Sequence, residues 1–315
     1  MFKILVITDT KLSSINQCNS VVNELTSFKK INLQHIKIKK SFLHFFPNSF
    51  IYFKLLIQLF FGLGFKKQRI DLIISCGRIA APYNLIFKKI NNCTNLHILN
   101  PYFKKNEFSK IIIPQYDSSK FFNKHNLILT RGTLVDRKKI NLKRKQLLNI
   151  SKLFNENFKI VLFLIGGSGK SSKIVFADLK ETIQKINQEK KIEIVYCFSR
   201  RTPQSLKNNI LKSKKKRSLV FPDNSFNPYW ELINIADYLF VTADSVSMTS
   251  DALSTGKPTY MIPVGKIKSK IKNFQINLNK EKITRIYNKR LSKWSYKKLE
   301  ESKLVGKQLK QILKL

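Results

Sequence analysis

Along the chain, apolar runs of strand length alternate with longer stretches whose apolar positions recur at helical spacing. This alternation predicts a parallel α/β protein. Phe2 to Ile7 reads as a buried strand. A polar loop to Asn16 is expected next, then a helix face marked by Cys18, Val21, Val22, Leu25 and Phe28, then an alternating strand from Leu33 to Ile38. A βαβ opening of this kind implies a parallel sheet. Asp71 to Ser75, Leu96 to Leu99, Lys110 to Ile113 and Leu127 to Leu129 supply further strands, with a helix through Ala80, Ala81 and Leu85. A basic segment, 135–157, bridges to a second half in which the pattern restarts. Strands are expected at 159–165, 192–198, 218–221, 238–241 and 259–262, and an amphipathic helix through Leu299, Val305, Leu309 and Ile312 closes the chain. The fold class is therefore α/β, with two Rossmann-like domains. The expected divisions are a first domain over 1–150, a second over 151–290, and a closing helix over 291–315.

Between the last two strands runs Thr242-Ala243-Asp244-Ser245-Val246-Ser247-Met248-Thr249-Ser250-Asp251, then Gly256-Lys257-Pro258. Asp244 and Ser245 are both N-cap types, and Gly256 with Pro258 marks the stop. Open parallel sheets bind ligands beyond the carboxyl ends of their strands. The free amides and positive end of a helix that starts there suit a phosphate. Asp251 lies one turn beyond Ser247 on the same face, placed for the hydroxyls of a ribose. A capped structural helix with an exposed Asp accounts for the same residues.

Gly166-Gly167-Ser168-Gly169-Lys170-Ser171 follows the first strand of the second half. Glycines there allow backbone amides to approach a phosphate closely. Gly169, Lys170 and Ser171 match the end of a Walker A loop, but position 164 is Leu, inside the strand, and the loop is too short to wrap a triphosphate. Arg200 and Arg201 follow the second strand, where paired guanidinium groups can clamp a diphosphate. A solvated Arg pair is the alternative.

The composition adds a net charge of +40, from 59 Lys and Arg against 19 Asp and Glu, which favours anionic partners. The excess is largely Lys beside abundant Asn, Ile and Phe, the mark of an AT-rich coding bias. No zinc-finger spacing, RNP-type aromatic motif or Arg-rich tail points to a specific nucleic-acid surface. Cys18, Cys76, Cys93 and Cys197 are far apart and form no CxxC, and His35, His44, His97 and His125 form no metal-binding spacing. No metal or cofactor is expected, and the cysteines fit a reducing cytoplasm.

Residues 50–65 are almost wholly apolar, with Lys54, Gln58 and Gly62 forming a thin polar stripe. The run is short for a transmembrane span. Flanking Lys37, Lys39, Lys40, Lys66, Lys67 and Arg69 suit an anionic membrane surface. The bare pattern points instead to burial between the sheet and a partner domain, since helices apolar nearly all round are usually core.

Ser75-Cys76-Gly77-Arg78, Ala81-Pro82, Gly166-Gly167-Ser168, Ser199-Arg200-Arg201-Thr202-Pro203, Asn227-Pro228-Tyr229 and 241–258 occur in this order. Together they resemble the bacterial branch of the mitochondrial-fission "elongated mitochondria" (ELM) proteins. The resemblance implies a GT-B glycosyltransferase-like architecture, two Rossmann-like domains facing a cleft, with 1–150 facing the acceptor or membrane and 151–290 binding the nucleotide sugar. Two of the stretches are also similar to the transferase that adds N-acetylglucosamine to the lipid-linked peptidoglycan precursor. That second likeness implies donor contacts from Gly166, Gly167 and Ser247 and a ribose contact from Asp251, where the transferase carries Glu. With the residue-level reading, the expected nucleotide-sugar set is Gly166, Gly167, Ser168, Lys170, Arg200, Arg201, Asp244, Ser245, Ser247, Met248 and Asp251. The family's first loop, Asp-Gly-Arg-x-Gly-His-x-x-Gln, is represented by Asp9-Thr10-Lys11-Leu12-Ser13-Ser14-Ile15-Asn16-Gln17. Ser14 replaces the His, which leaves Asp9 as the candidate general base. The implied activity is a metal-independent transferase, cytoplasmic or peripheral on the inner membrane, that uses a nucleotide sugar. Its acceptor would be lipid-linked or belong to the envelope. A non-catalytic membrane adaptor of the ELM type and a sugar-nucleotide epimerase are the alternatives.

Overall fold

The computed structural model describes every residue except 121–124, 170, 224–225 and 315. Two units emerge: residues 1–136 with 300–315, and residues 137–299. The first contains β1 (Phe2–Asp9), α1 (Leu12–Leu25), β2 (Ile31–Ile38), α2 (Asn48–Phe60), β3 (Leu72–Cys76), α3 (Ala80–Asn91), β4 (Thr94–Ile98), β5 (Lys110–Pro114) and β6 (Leu127–Thr130). Its six strands are all parallel, in the order β2-β1-β3-β4-β5-β6. The direction of strand addition reverses between β1 and β3, which sets the switch point of this sheet there. The loop expected as far as Asn16 is shorter. α1 begins at Leu12 because Ser14, Gln17 and Cys18 are buried on its inner face, so the polar-looking start belongs to the helix.

The second unit runs through α4 (Arg137–Ile140), α5 (Arg144–Ser151), β7 (Lys159–Ile165), β8 (Ser172–Lys173), α6 (Ala177–Asn187), β9 (Ile192–Phe198), α7 (Gln204–Ser213), β10 (Leu219–Phe221) and α8 (Tyr229–Ile235). It continues with β11 (Tyr238–Thr242), α9 (Val246–Leu253), β12 (Thr259–Ile262), β13 (Lys266–Ile267), α10 (Ser269–Lys280) and β14 (Thr284–Arg285). Six strands form a second parallel sheet in the order β10-β9-β7-β11-β12-β14, and β8 pairs with β13 in a small antiparallel ribbon. One face of the sheet carries a row of aromatic rings set by the register. Tyr196, Phe163, Phe240 and Tyr260 stand opposite one another on β9, β7, β11 and β12. Their centroids are 5.0, 4.9 and 4.8 Å apart, nearly parallel, and Trp294 closes the row edge-on against Tyr260. Cross-strand aromatic pairs of this kind tie neighbouring strands together.

The boundary falls at Asp136, not near 150. The 137–157 segment packs on α8: Asn234 Nδ2 donates to the Lys139 carbonyl at 2.9 Å, and Ile150 lies in the second unit's core. The closing helix is α11 (Glu301–Ile312), and it belongs to the first unit. Val305 and Leu309 fill the core beside α1, and Ser302 Oγ donates to the Val135 carbonyl at 2.6 Å. A Cβ on Gly306 would come 2.7 Å from Glu24 Cβ, so the glycine permits the close approach of α11 to α1. Leu299, expected in the same helix, instead donates its N–H to Leu253 in the second unit.

Candidate functional site

β7, β9 and β11 are adjacent and parallel, so their carboxyl ends open on one edge of the second sheet. The switch point lies between β7 and β11, with the Gly166–Gly167 corner on one side and Asp244–Ser245 on the other. The two corners are bonded together: Gly166 N–H donates to Thr242 Oγ1 at 2.8 Å, and Gly167 N–H to Asp244 Oδ2 at 2.9 Å. The third corner, Ser199–Pro203, closes from β9. Thr202 Oγ1 donates to the Gly166 carbonyl at 2.6 Å, and Ser199 Oγ lies 3.1 Å from the same hydroxyl. All three corners meet at Gly167.

This contact gives the glycine pair a reason that the sequence does not disclose. A Cβ on Gly166 would stand 2.2 Å from Asp244 Oδ2, and one on Gly167 would stand 2.2 Å from the Arg201 carbonyl carbon. Both glycines make room for protein, and both amides are spent within the fold. In the fold these amides hold the corner. Asp244, also expected to touch the donor, is 6% exposed and holds Gly167. Burial raises its pKa, opposed by the Thr242 hydroxyl, the Gly167 amide and the Arg201 charge. A carboxylate there would repel a phosphate, so Asp244 is the clasp between corners. Ser168 Oγ accepts from Ile174 N–H at 3.2 Å. α6 begins only at Ala177, because the β8–β13 ribbon intervenes, so this is not the loop-to-helix junction of a Walker A motif. Lys170 lies outside the described residues.

The start of α9 is organised as the sequence suggests. Ser245 is its N-cap and accepts from Met248 N–H at 3.4 Å. The amides of Val246 and Ser247 precede any intrahelical acceptor. Ser247 and Met248 are half-buried, while Arg200 and Arg201 are exposed. Gln275 Nε2 supports the turn from beneath by donating to the Ala243 carbonyl and Thr249 Oγ1, each at 3.1 Å. Asp251 faces α8, where Tyr229 O–H donates to its Oδ2 at 2.7 Å. Burial pushes the Asp251 carboxyl up to about 7, opposed by the Tyr229 hydroxyl and the Lys139 charge. Tyr229, Thr202, Thr242 and Gln275 were not in the expected set. The first three lie in motifs that carry the family resemblance, whereas nothing local in the sequence distinguishes Gln275.

The raised value at Asp251 makes its protonated form the one that folding favours. Its contribution is complete below about pH 4 and is lost as the pH rises through 7. Measured against Asp251→Asn, the melting temperature of the parent should therefore fall progressively between those limits. A difference that stays flat with pH would contradict the assignment.

In the first unit, Asp9 ends β1 at the switch point, 2% exposed. Lys11 takes both carboxylate oxygens, its N–H donating to Oδ1 at 3.2 Å and its ammonium lying 3.0 Å from Oδ2. This is a loop clasp on the candidate base. Cys18 and Cys76 lie beside it, both buried, and burial raises the Cys18 thiol well above its usual range. Among the described residues, no three His, Cys, Asp or Glu side chains gather as a metal set would.

Comparison with known proteins decides the family. The family described as mitochondrial fission ELM1 matches residues 14–313. The chain belongs to that family. An uncharacterised Rickettsia prowazekii protein, RP120, is 28% identical over 99% of both chains. The Arabidopsis thaliana mitochondrial fission protein ELM1 is 34% identical over a match that covers 33% of this chain and 26% of the plant protein. Among solved structures, the UDP-GlcNAc 2-epimerase of Methanocaldococcus jannaschii aligns with a TM-score of 0.59 at 12% identity, covering 99% of both chains. A glycosyltransferase from Rickettsia africae aligns at 0.52 and 12% identity, covering 99% of this chain and 93% of its own. At these identities the likeness is one of fold. This ELM1-family chain has the α/β GT-B fold, built from two Rossmann-like units.

Proposed function

We propose that the second unit binds a nucleoside-diphosphate sugar and that the protein is a GT-B-type glycosyltransferase. The observation that carries this reading is the convergence of three loops on Gly167 at the switch point, with the start of α9 beside it and the Asp251–Tyr229 pair about a turn and a half into that helix. In this reading the diphosphate lies against the amides of Val246 and Ser247, the Ser247 hydroxyl and the exposed Arg200 and Arg201. Asp251, oriented by Tyr229, accepts from the ribose hydroxyls. Gly166, Gly167, Asp244 and Ser245 shape the seat without touching the ligand.

In the reaction, the bond between the anomeric carbon and the β-phosphate oxygen breaks as an acceptor hydroxyl oxygen takes that carbon; the nucleoside diphosphate leaves with the electron pair, and the hydroxyl proton passes to water. Fixed dipoles and guanidinium charge stabilise the negative charge that develops on the leaving oxygen. The nucleotide sugar is a substrate, so no cofactor enters. A cytoplasmic, membrane-peripheral setting suits a water-soluble donor and a lipid-borne acceptor. Asp9 is clasped by Lys11, and Ser14 stands where the family's loop has His, so the first loop offers the acceptor no ready base. That observation favours a second reading, a non-catalytic adaptor that keeps the fold. An epimerase would use the donor seat alone.

Calorimetry separates these readings. Uridine and guanosine diphosphates and their sugar conjugates should bind, and Asp251→Ala should weaken the best ligand by about tenfold, the worth of one hydrogen bond to a charged group at the low end of its range. Stabilisation by a sugar conjugate with turnover supports the enzyme. Binding without turnover supports the adaptor, and silence across the panel removes the donor seat.

A further inference from the structure

The outward face of α2 carries a second apolar stripe that the fold leaves uncovered. Ile51, Tyr52 and Leu55 point inward and are buried against α3. On the other side, Phe46, Phe50, Phe53, Ile57 and Phe60 recur at steps of four and three, and are between 38% and 85% exposed. The burial expected for this helix is therefore met on one face only. Phe42 and Phe45, on the 3-10 turn Phe42–Phe45, extend the stripe at 76% and 84% exposed.

The stripe is mounted rigidly. Arg78 donates to the Phe46 carbonyl at 3.1 Å and also to the His44 carbonyl. Asn48 Nδ2 donates to the carbonyls of Arg78 and Pro101 at 2.8 and 2.9 Å. Phe46 packs on Phe50 with centroids 5.0 Å apart and on Phe42 at 5.7 Å. Apolar rings that are held in water in this way need a partner.

The charge around the stripe says which partner. Between Glu24 and Asp71 the chain has no Asp or Glu and nine Lys or Arg. Lys37, Lys39, Lys40, Lys54, Lys66 and Lys67 are all exposed. A second copy would set these cations against their own kind. The complementary surface is apolar within and anionic at its rim. We propose that α2 and the preceding turn lie in the interface of a bilayer that contains anionic lipid. The helix axis lies in the membrane plane, with the outer phenylalanines among the upper acyl chains and the lysines on the headgroups. At 13 residues the helix is roughly 20 Å long, enough for a flat seat but not a span. No helix among the described residues is long and apolar enough to cross a membrane. A helix seated in this way gives a membrane-peripheral setting a physical basis, and its seat does not depend on the donor site.

Because the chain carries a net +40, sedimentation with charged vesicles alone would report adsorption. Insertion is read instead from Phe60→Trp with vesicles of phosphatidylcholine, with and without phosphatidylglycerol. The added indole should shift to the blue, and acyl-chain-brominated lipid should quench it, only where phosphatidylglycerol is present. The triple variant Phe45→Ser, Phe53→Ser, Phe60→Ser should lose about 100-fold in vesicle partitioning, from three rings no longer transferred out of water. Its circular dichroism and nucleotide binding should match the parent, since all three rings are exposed. An unquenched indole, a triple variant that partitions like the parent, or a stable dimer that buries the new indole without lipid would each overturn the proposal. Asp251→Ala should leave vesicle binding intact, so the two readings can fail separately.

Discussion

Gly167→Ala should destabilise the second unit by about 3 kcal/mol and remove nucleotide binding at temperatures where the variant is still folded. The added methyl would meet the Arg201 carbonyl carbon and oxygen at 2.2 and 2.3 Å. Those are backbone atoms and cannot swing aside like the tip of a side chain. Relief requires the β7 and β9 corners to part, which breaks the Thr202–Gly166 bond and shifts the Gly167 amide that Asp244 holds. The donor seat, if the proposal holds, loses its shape at the same time. Thermal unfolding and calorimetry on one preparation test this, and a variant with parental stability and affinity would show that the corners do not depend on their contact.

Phe240→Ala should cost about 4 kcal/mol, or roughly 10 °C in melting temperature for a unit of this size, without altering affinity in the fraction that remains folded. Phe240 is fully buried, stacked between Phe163 and Tyr260, with Tyr287 edge-on at 5.5 Å. Truncation leaves a cavity in the middle of the row and strips a partner from three rings at once. The ring lies on the sheet face, away from the carboxyl edge, so the loss should appear in stability alone. A loss below about 1 kcal/mol would mean that the neighbours collapse into the space. Side by side, the two variants separate damage to the seat from general loosening.

Much of this was readable in advance wherever local chemistry fixes the outcome. Ile192–Phe198 has the bounds its apolar run implies, and Ser245 caps α9 as its side chain allows. The parallel order of the second sheet follows from alternating strands and helices. What could not be read depends on contacts distant in sequence. The spacing of Gly166 and Gly167 suits a phosphate loop, but their purpose is set by Asp244 and Arg201, dozens of residues away. The β8–β13 ribbon has two residues per strand, too few for any period. Asp9 looks available until Lys11 is seen to fold back on it. The apolar run at 50–65 has no moment strong enough to say which side is in; only packing on α3 divides it into a covered stripe and a bare one. Gln275 supports the α9 turn from α10 with no local signature at all.

The assignment of α11 to the first unit governs how the chain can be made. Val305 and Leu309 complete the core beside Val21, Val22 and Leu25. Residues 1–136 must therefore wait for 300–315, made after the second unit, before their interior is sealed, and the second unit can finish ahead of them. Until then, a greasy strip on α1 stands open to chaperones. A fragment cut at Asp136 would carry that strip permanently, so a soluble N-terminal half calls for the C-terminal sixteen residues to be grafted back onto it.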